Sequence, residues 1–248
     1  MSTVYWCAGM YASGSTWAYN VMRGIAACLH PGRPVRGRFV NTLADLGGLD
    51  DEAAVHVVKT HDLPAAVAAE LARRVRRIVV TIRDPRDAVT SLMLYQRFGF
   101  APALDWVARS ARFAEAMTAE PRSLLLQFED GYTTAPVTLD RIAQWFGGAL
   151  PAGERDRLFA HHDRAAVEAL IATFGKGHNN SAGDAETQWH RHHAGRSGEV
   201  GRWRRMLWPE QAAAVENELR AWLERFGYAT TIWGPGYALR LGRLALER

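Results

Sequence analysis

Residues 3–17 read TVYWCAGMYASGSTW, an apolar run that ends in a turn of small residues. The run at 3–9 has the composition of a buried strand, and Ser15 or Thr16 is placed to cap a helix that continues to about Ala27. The first turn of a helix carries unpaired N–H groups and partial positive charge. This order of elements indicates either a site for a phosphate or sulfate or an ordinary strand-to-helix connection.

Further apolar runs alternate with segments of helical period. Strands are predicted at 3–9, 54–60, 77–83 and 123–129, and helices follow at 64–75, 86–97, 103–119, 136–147, 164–173 and 209–226. Such alternation predicts an α/β fold of three layers, in which a central, mostly parallel sheet is flanked by helices.

Length and composition fit one domain. The chain has 248 residues, of which 48% are hydrophobic and 23% charged, and these values are typical of a globular protein. The stretch 175–202 is rich in glycine and polar residues and is expected to be a mobile loop. The segment 209–248 is expected to be largely helical.

The cysteines, the charge and the hydropathy indicate the cellular compartment and the kinds of partner to expect. Cys7 and Cys28 cannot build a disulfide framework, and the first basic residue is Arg23, so we expect a cytoplasmic protein. No apolar stretch predicts an integral membrane segment. The net charge of +4 permits an anionic ligand. Aromatic residues do not interleave with a basic stripe, so nucleic acid is not expected as a partner.

Polar residues follow the second and third predicted strands. Lys59 and His61 end the second, and Arg83 ends the third. Because ligands bind beyond the carboxyl ends of parallel strands, these residues and the turn are expected at one edge of the sheet. A histidine there is suited to act as a base near neutral pH, and a lysine to stabilise negative charge. The alternative is a solvated surface pair.

A second anion site is indicated around Arg83. The arginine fork and the hydroxyl of Ser91, on the next predicted helix, suit a phosphate. Arg86 and Asp87 are assigned mainly to an ion pair at the surface. The late segment 196–204, RSGEVGRWR, has the arginines and glycines of a loop that folds over an anion.

Taken together, four segments resemble the sulfotransferases that use 3′-phosphoadenosine 5′-phosphosulfate (PAPS). The segments are GMYASGSTW at 9–17, similar to the 5′-phosphosulfate loop; VVKTHDLP at 57–64, similar to the segment of the catalytic histidine; IVVTIRDPRDAVTS at 78–91, similar to the 3′-phosphate motif; and RSGEVGRW at 196–203, similar to the late glycine motif. The resemblance implies the P-loop-NTPase-like sulfotransferase fold.

The resemblance also implies roles for individual residues. It makes His61 the general base and Lys59 a second catalytic residue. The residues that would bind the nucleotide are Ser13, Gly14, Ser15, Thr16, Trp17, Arg83, Ser91, Arg196, Ser197 and Gly198, with Phe128 a further adenine contact. PAPS would be the co-substrate and PAP the product, without a metal. The acceptor would be a small molecule with a hydroxyl or amine.

One departure from the family pattern stands in the turn. Ala12 occupies the place of the family's loop lysine or arginine. Loss of one such charge-stabilising group typically costs about two to three orders of magnitude in rate. Four basic residues are candidates for its replacement, and Lys59 is favoured over Arg23, Arg36 and Arg38.

Alternatives stay open at this point. A catalytically silent PAP-binding protein would explain Ala12, and a small-molecule kinase is less favoured because the GxxxxGK[ST] pattern is absent. The histidine clusters are assigned to solvated loops rather than metal ligands: His161, His162, His190, His192 and His193. Aromatic residues at 98, 100, 106 and 113 favour either an aromatic acceptor or core packing. A homodimer stays an alternative to a monomer.

Overall fold

The computed structural model describes residues 2–174, 186–190, 193 and 198–231. The predicted nucleotide-binding residues Arg196 and Ser197 lie outside the described residues, as do most of the predicted mobile loop and the end of the chain from residue 232.

The centre of the structure is a sheet of five parallel strands. Its strands are β1 (Thr3–Gly9), β2 (Val35–Phe39), β3 (Val55–Thr60), β4 (Arg77–Ile82) and β5 (Ser123–Gln127). They are arranged in the order β2-β3-β1-β4-β5. β1, in which all seven residues are buried, is therefore the central strand and has β3 and β4 as its neighbours.

Helices cover both faces of this sheet. They are α1 (Ser15–Leu29), α2 (Ala65–Arg74), α3 (Pro85–Tyr95), α4 (Phe100–Thr118), α5 (Val137–Phe146), α6 (Glu154–His162), α7 (Arg164–Ala172), α8 (Trp203–Met206), α9 (Pro209–Glu218) and α10 (Arg220–Arg225). Alternate residues of β1 serve opposite faces: Trp6 packs into the layer of α2, α3, α4, α9 and α10, whereas Cys7 packs into the layer of α1, α5, α6 and α7. The α/β fold of three layers is confirmed.

Four regions differ from the sequence prediction, of which the short helix α8 is one that was not expected. No strand was predicted at residues 35–39; β2 is an edge strand that pairs with β3 alone, and it carries the exposed Arg36 and the half-buried Arg38 rather than a continuous apolar run. α6 was also missed, because its sequence ERDRLFAHH is mostly polar. The helix expected at 209–226 is two helices. The chain turns at Leu219, which has a φ of −124°, and this lets the indole of Trp222 donate to the carbonyl of Ala111 at 3.0 Å.

Candidate functional site

A large cavity opens at the carboxyl ends of the three central strands. Since β1 lies between β3 and β4, the residues that follow these strands are brought together. The cavity measures about 1500 Å³. Ten of the predicted site residues line it: Gly14, Ser15, Thr16, Trp17, Lys59, His61, Arg83, Ser91, Phe128 and Gly198.

Hydrogen bonds with buried side chains hold the turn between β1 and α1 in place. Gly14, with a φ of +82°, is the N-cap of α1, and the hydroxyl of Tyr132 donates to the carbonyl of Ser13 at 2.5 Å. The Ser13 hydroxyl bonds the Met10 carbonyl at 2.6 Å and the Thr81 hydroxyl at 2.7 Å. Ser13 is fully buried and does not line the cavity. Its side chain therefore supports the turn.

The first turn of α1 presents its backbone donors to the cavity. No side chain of the described residues caps this helix end, so its N–H groups are available to an anion. Trp17 is buried, and its indole N–H donates to the carbonyl of His162 at 2.8 Å. Its ring is thus fixed at the cavity wall, next to Tyr132 at 5.7 Å between ring centroids.

His61 is oriented by the strand that leads to the turn. Its Nδ1 lies 2.7 Å from the carbonyl oxygen of Gly9. A carbonyl can only accept, so Nδ1 carries the proton, and in the neutral ring the lone pair belongs to Nε2. The ring stacks on Tyr11 at 4.1 Å between centroids. This is the tautomer that a base acting through Nε2 requires.

Lys59 is a buried cation that reaches the same cavity. Only 3% of the residue is exposed, and its Nζ lies 5.5 Å from the centroid of the Phe39 ring. Burial lowers the pKa of Lys59 to about 8. Among the residues that the structure describes, no carboxylate forms an ion pair with it. An anion in the cavity would supply the missing partner.

Arg83 connects the turn to the late segment. Its guanidinium donates to the carbonyl of Ala12 at 3.3 Å and to that of Glu199 at 2.7 Å. It also lies 4.4 Å from the centroid of the Phe128 ring. Burial lowers the pKa of Arg83, and the Asp87 carboxylate at 3.6 Å opposes this shift. An arginine remains charged in a protein, so Arg83 keeps a positive charge at the cavity wall.

The assignment of Arg86 and Asp87 to a surface pair was wrong. Arg86 is buried, and its guanidinium pairs with Asp84 at 2.8 Å and with Glu216 at 2.6 Å. Asp87 is fully buried and accepts from the amides of Gly201 and Trp203 at 2.6 and 2.9 Å. Buried charges require such partners. Asp87 therefore fixes the late segment against α3.

The assignment of the histidines to solvated loops was also wrong in part. His162 ends α6 and is buried, and burial lowers its pKa to about 4. Nε2 of His193 lies 3.3 Å from the Thr16 hydroxyl. His192 lies outside the described residues. Within the described part of the chain, no group of three potential ligand side chains is placed to hold a metal ion.

The contacts of the four basic candidates show which of them can replace the cation missing at Ala12. Arg23 pairs with Glu186, Arg36 pairs with Asp51 at 3.3 Å, and Arg38 donates to backbone carbonyls of the loop 45–47. None of these three arginines lines the cavity, whereas Lys59 does.

Several aromatic rings lie close to His61. Tyr11 contacts Trp106 at 5.2 Å, and Trp106 contacts Phe98 at 5.0 Å between ring centroids. Phe39 approaches His61 at 5.7 Å. Phe100 and Phe113 do not line the cavity and pack against the hydrophobic core. The sequence analysis did not identify Tyr11 and Phe39 as site residues. The only signal for them is their position, since Tyr11 follows the end of β1 and Phe39 is the last residue of β2.

This architecture defines a class: the chain has the fold of the sulfotransferases. A solved structure of mouse sulfotransferase SULT7A1 complexed with PAP is similar to it, with a TM-score of 0.63, 16% identity, and coverage of 90% of this chain and 84% of that one. Two structures of retinol dehydratase are also similar. One contains androsterone and the inactive cofactor PAP (TM-score 0.58, 18% identity) and the other contains retinol and PAP (0.57, 17%); each match covers 94% of this chain and 83% of the other.

Sequence comparison adds nothing to this result, since no family model and no curated protein matches the chain. Among the described residues, no helix has both the length and the apolar character needed to cross a bilayer.

Proposed function

We propose that the protein is a sulfotransferase that transfers the sulfuryl group of PAPS to a hydroxyl or amine of a small-molecule acceptor. The observation that carries the proposal is the hydrogen bond from Nδ1 of His61 to the carbonyl of Gly9. It links the base to the residue from which the anion-binding turn begins. The hydrogen bond thereby fixes the position of the base relative to the anion-binding turn.

The cavity residues fit a nucleotide with two acidic ends. The backbone donors of α1 and the Thr16 hydroxyl suit the 5′ end, and Arg83 with Ser91 suits the 3′-phosphate. Gly198 lies beside Phe128, and a side chain at that position would come within 3.8 Å of the Phe128 ring. Arg196 and Ser197 are proposed to complete the 3′ site. PAPS would supply the activated sulfuryl group.

Within this proposal His61 accepts the proton of the acceptor through Nε2. Lys59 stabilises negative charge that develops on the leaving phosphate, in place of the side chain missing at Ala12. The aromatic rings of Tyr11, Phe39 and Trp106 exclude water from the acceptor and favour one with an apolar or aromatic body.

Transfer of labelled sulfate from PAPS to a panel of hydroxyl and amine acceptors tests the proposal. Wild type should transfer label to at least one acceptor, and His61→Ala should lose about 100-fold or more of the turnover while it still binds PAP. Full turnover by His61→Ala would remove the assignment of the base. His161→Ala, at an exposed position of α6, is the matched control and should keep full activity.

A catalytically silent PAP-binding protein is the second candidate, favoured by Ala12 alone. Ala12 adopts a φ of +57° and offers the cavity only a methyl group. This candidate predicts PAP binding without transfer of label to any acceptor in the panel. The variant Ala12→Lys would then restore the missing cation, so a gain of transfer in that variant would identify an inactivated enzyme.

A further inference from the structure

The side chain of His193 contacts Thr16 in the first turn of α1. Side chains of α1 hold the backbone of residues 186–190: the Tyr19 hydroxyl donates to the carbonyl of Glu186 at 2.6 Å, and the Asn20 amide donates to that of Thr187 at 2.7 Å. The backbone N–H of His193 in turn donates to the carbonyl of His190 at 2.9 Å. His193 and Thr16 both line the cavity. Its position is therefore tied to the same helix that presents the anion-binding amides.

The hydrogen bonds of His193 fix its tautomer. The backbone N–H of His190 donates to Nδ1 of His193 at 2.9 Å. Nδ1 therefore accepts, and the ring proton belongs to Nε2. Nε2 lies 3.3 Å from the Thr16 hydroxyl oxygen, to which it donates. The histidine acts here as a neutral donor.

These hydrogen bonds determine whether the Thr16 hydroxyl acts as a donor or as an acceptor towards a ligand. A hydroxyl has one hydrogen and two lone pairs. With one lone pair occupied by His193, the Thr16 hydrogen is directed away from the ring and is available to an acceptor in the cavity that both residues line. A hydroxyl oriented in this way is a donor for an anion at the first turn of α1.

We propose that His193 is a positioning residue that orients the Thr16 hydroxyl towards the 5′-phosphate end of the bound nucleotide. The proposal rests on the proposed function for the identity of that ligand. It adds a residue that no motif of the sequence marks. It also gives the anion site an ordered side-chain donor, whereas the methyl group of Ala12 supplies none.

Binding of two probes tests the proposal by calorimetry: PAP, and adenosine 3′-phosphate, which lacks the 5′-phosphate. His193→Leu should weaken PAP binding by about tenfold, the usual effect of one hydrogen bond to a charged group. It should leave the affinity for adenosine 3′-phosphate unchanged. His193→Gln, whose amide can donate from a similar place, should recover most of the loss. His161→Leu is the control and should bind both probes as wild type does.

A double-mutant cycle separates positioning from general damage. Thr16→Val should weaken PAP binding, and His193→Leu should then have no further effect, because the hydroxyl it orients is gone. Additive effects of the two substitutions, an equal loss for both probes, or wild-type PAP affinity in His193→Leu would overturn the proposal. Failure of the wild-type protein to bind PAP would instead overturn the proposed function.

Discussion

At the scale of single residues, Lys59 carries the clearest dependence on pH. Burial lowers its pKa to about 8, so its ammonium form prevails below that pH and is lost above it. An anion binds the charged form better. We therefore expect PAP affinity to fall as the pH rises above 8, by up to about tenfold per pH unit. Calorimetric titration with PAP between pH 6.5 and 9.5 measures this dependence of the affinity on pH.

Two substitutions check that Lys59 is the titrating group. Lys59→Met should bind PAP more weakly at pH 7 and lose the decrease above pH 8. Lys59→Arg keeps its charge throughout this range, so any binding it retains should be independent of pH. An unchanged pH profile in Lys59→Met would assign the decrease to another group.

Arg83 is expected to contribute most of the affinity for the 3′-phosphate. Arg83→Ala removes a buried guanidinium from the cavity wall and should weaken PAP binding by about 100-fold, since charge-assisted bonds to phosphate are the strong ones. Arg73→Ala removes an exposed guanidinium that pairs with Glu70 on α2 and should change nothing. Equal affinities of the two variants, measured by calorimetry, would contradict this role.

At the scale of elements, the turn before α1 requires a glycine at its last position. A Cβ on Gly14 would lie 2.7 Å from the hydroxyl of Tyr132, at a φ of +82°. Gly153 offers a matched control, because it caps α6 at a φ of +79° and a Cβ there meets nothing within 4 Å. Gly153→Ala should cost about 1–2 kcal/mol of unfolding free energy from its backbone alone. Gly14→Ala should cost a further 1–3 kcal/mol or so through overpacking.

Urea unfolding of the two glycine variants measures that difference. Tyr132→Phe in the Gly14→Ala background should recover part of the extra loss, because it removes the atom that the new methyl group meets. Equal stabilities of Gly14→Ala and Gly153→Ala would show that the Tyr132 hydroxyl does not constrain the turn.

The attachment of the late segment to α3 depends on the carboxylate of Asp87. In Asp87→Asn one oxygen becomes an amide that faces a backbone N–H, so one of the bonds to Gly201 and Trp203 is lost. We expect a loss of about 2–4 kcal/mol of unfolding free energy by urea titration. Asp105→Asn, at a 65% exposed side chain of α4, is the control and should change stability by less than about 0.5 kcal/mol. A comparable loss in both variants would contradict the argument.

The sequence predicted the elements that are apolar and fully buried. β1, β3 and β4 lie within about a residue of the predicted bounds, because strands covered on both faces have a continuous apolar pattern. The pattern failed for β2 and α6, which lie at the edge or surface and are rich in arginine and other polar residues. Backbone pairing with β3, rather than side-chain hydrophobicity, makes residues 35–39 a strand.

The candidate site was predicted where residues follow strand ends, and it was missed where contacts are long-range. The sequence alone could locate Lys59, His61 and Arg83, because each stands at or directly after the end of a predicted strand. The inward orientation of the Ser13 hydroxyl and the contact of His193 with Thr16 depend on chain segments far apart in sequence. No local pattern encodes such contacts.

At the scale of the whole molecule, the cavity joins the two helical layers. Trp17 and His162 belong to its wall on one face of the sheet, and Ser91 and Trp106 to its wall on the other. A ligand that contacts the turn and Arg83 together therefore binds residues anchored in both layers. Such a ligand should stabilise the folded state as a unit.

Thermal unfolding with nucleotides tests this coupling and the specificity of the site together. PAP at about one hundred times its Kd should stabilise the protein by about 2.7 kcal/mol, which corresponds to roughly 5–10 °C in Tm for a chain of this size. ATP with Mg²⁺ should give a smaller shift, because the turn has no lysine to contact a β- or γ-phosphate. In Arg83→Ala most of the PAP shift should disappear, whereas in Arg73→Ala it should persist. A larger shift with ATP and Mg²⁺ than with PAP would favour the kinase alternative, since only a site built for a triphosphate would prefer it.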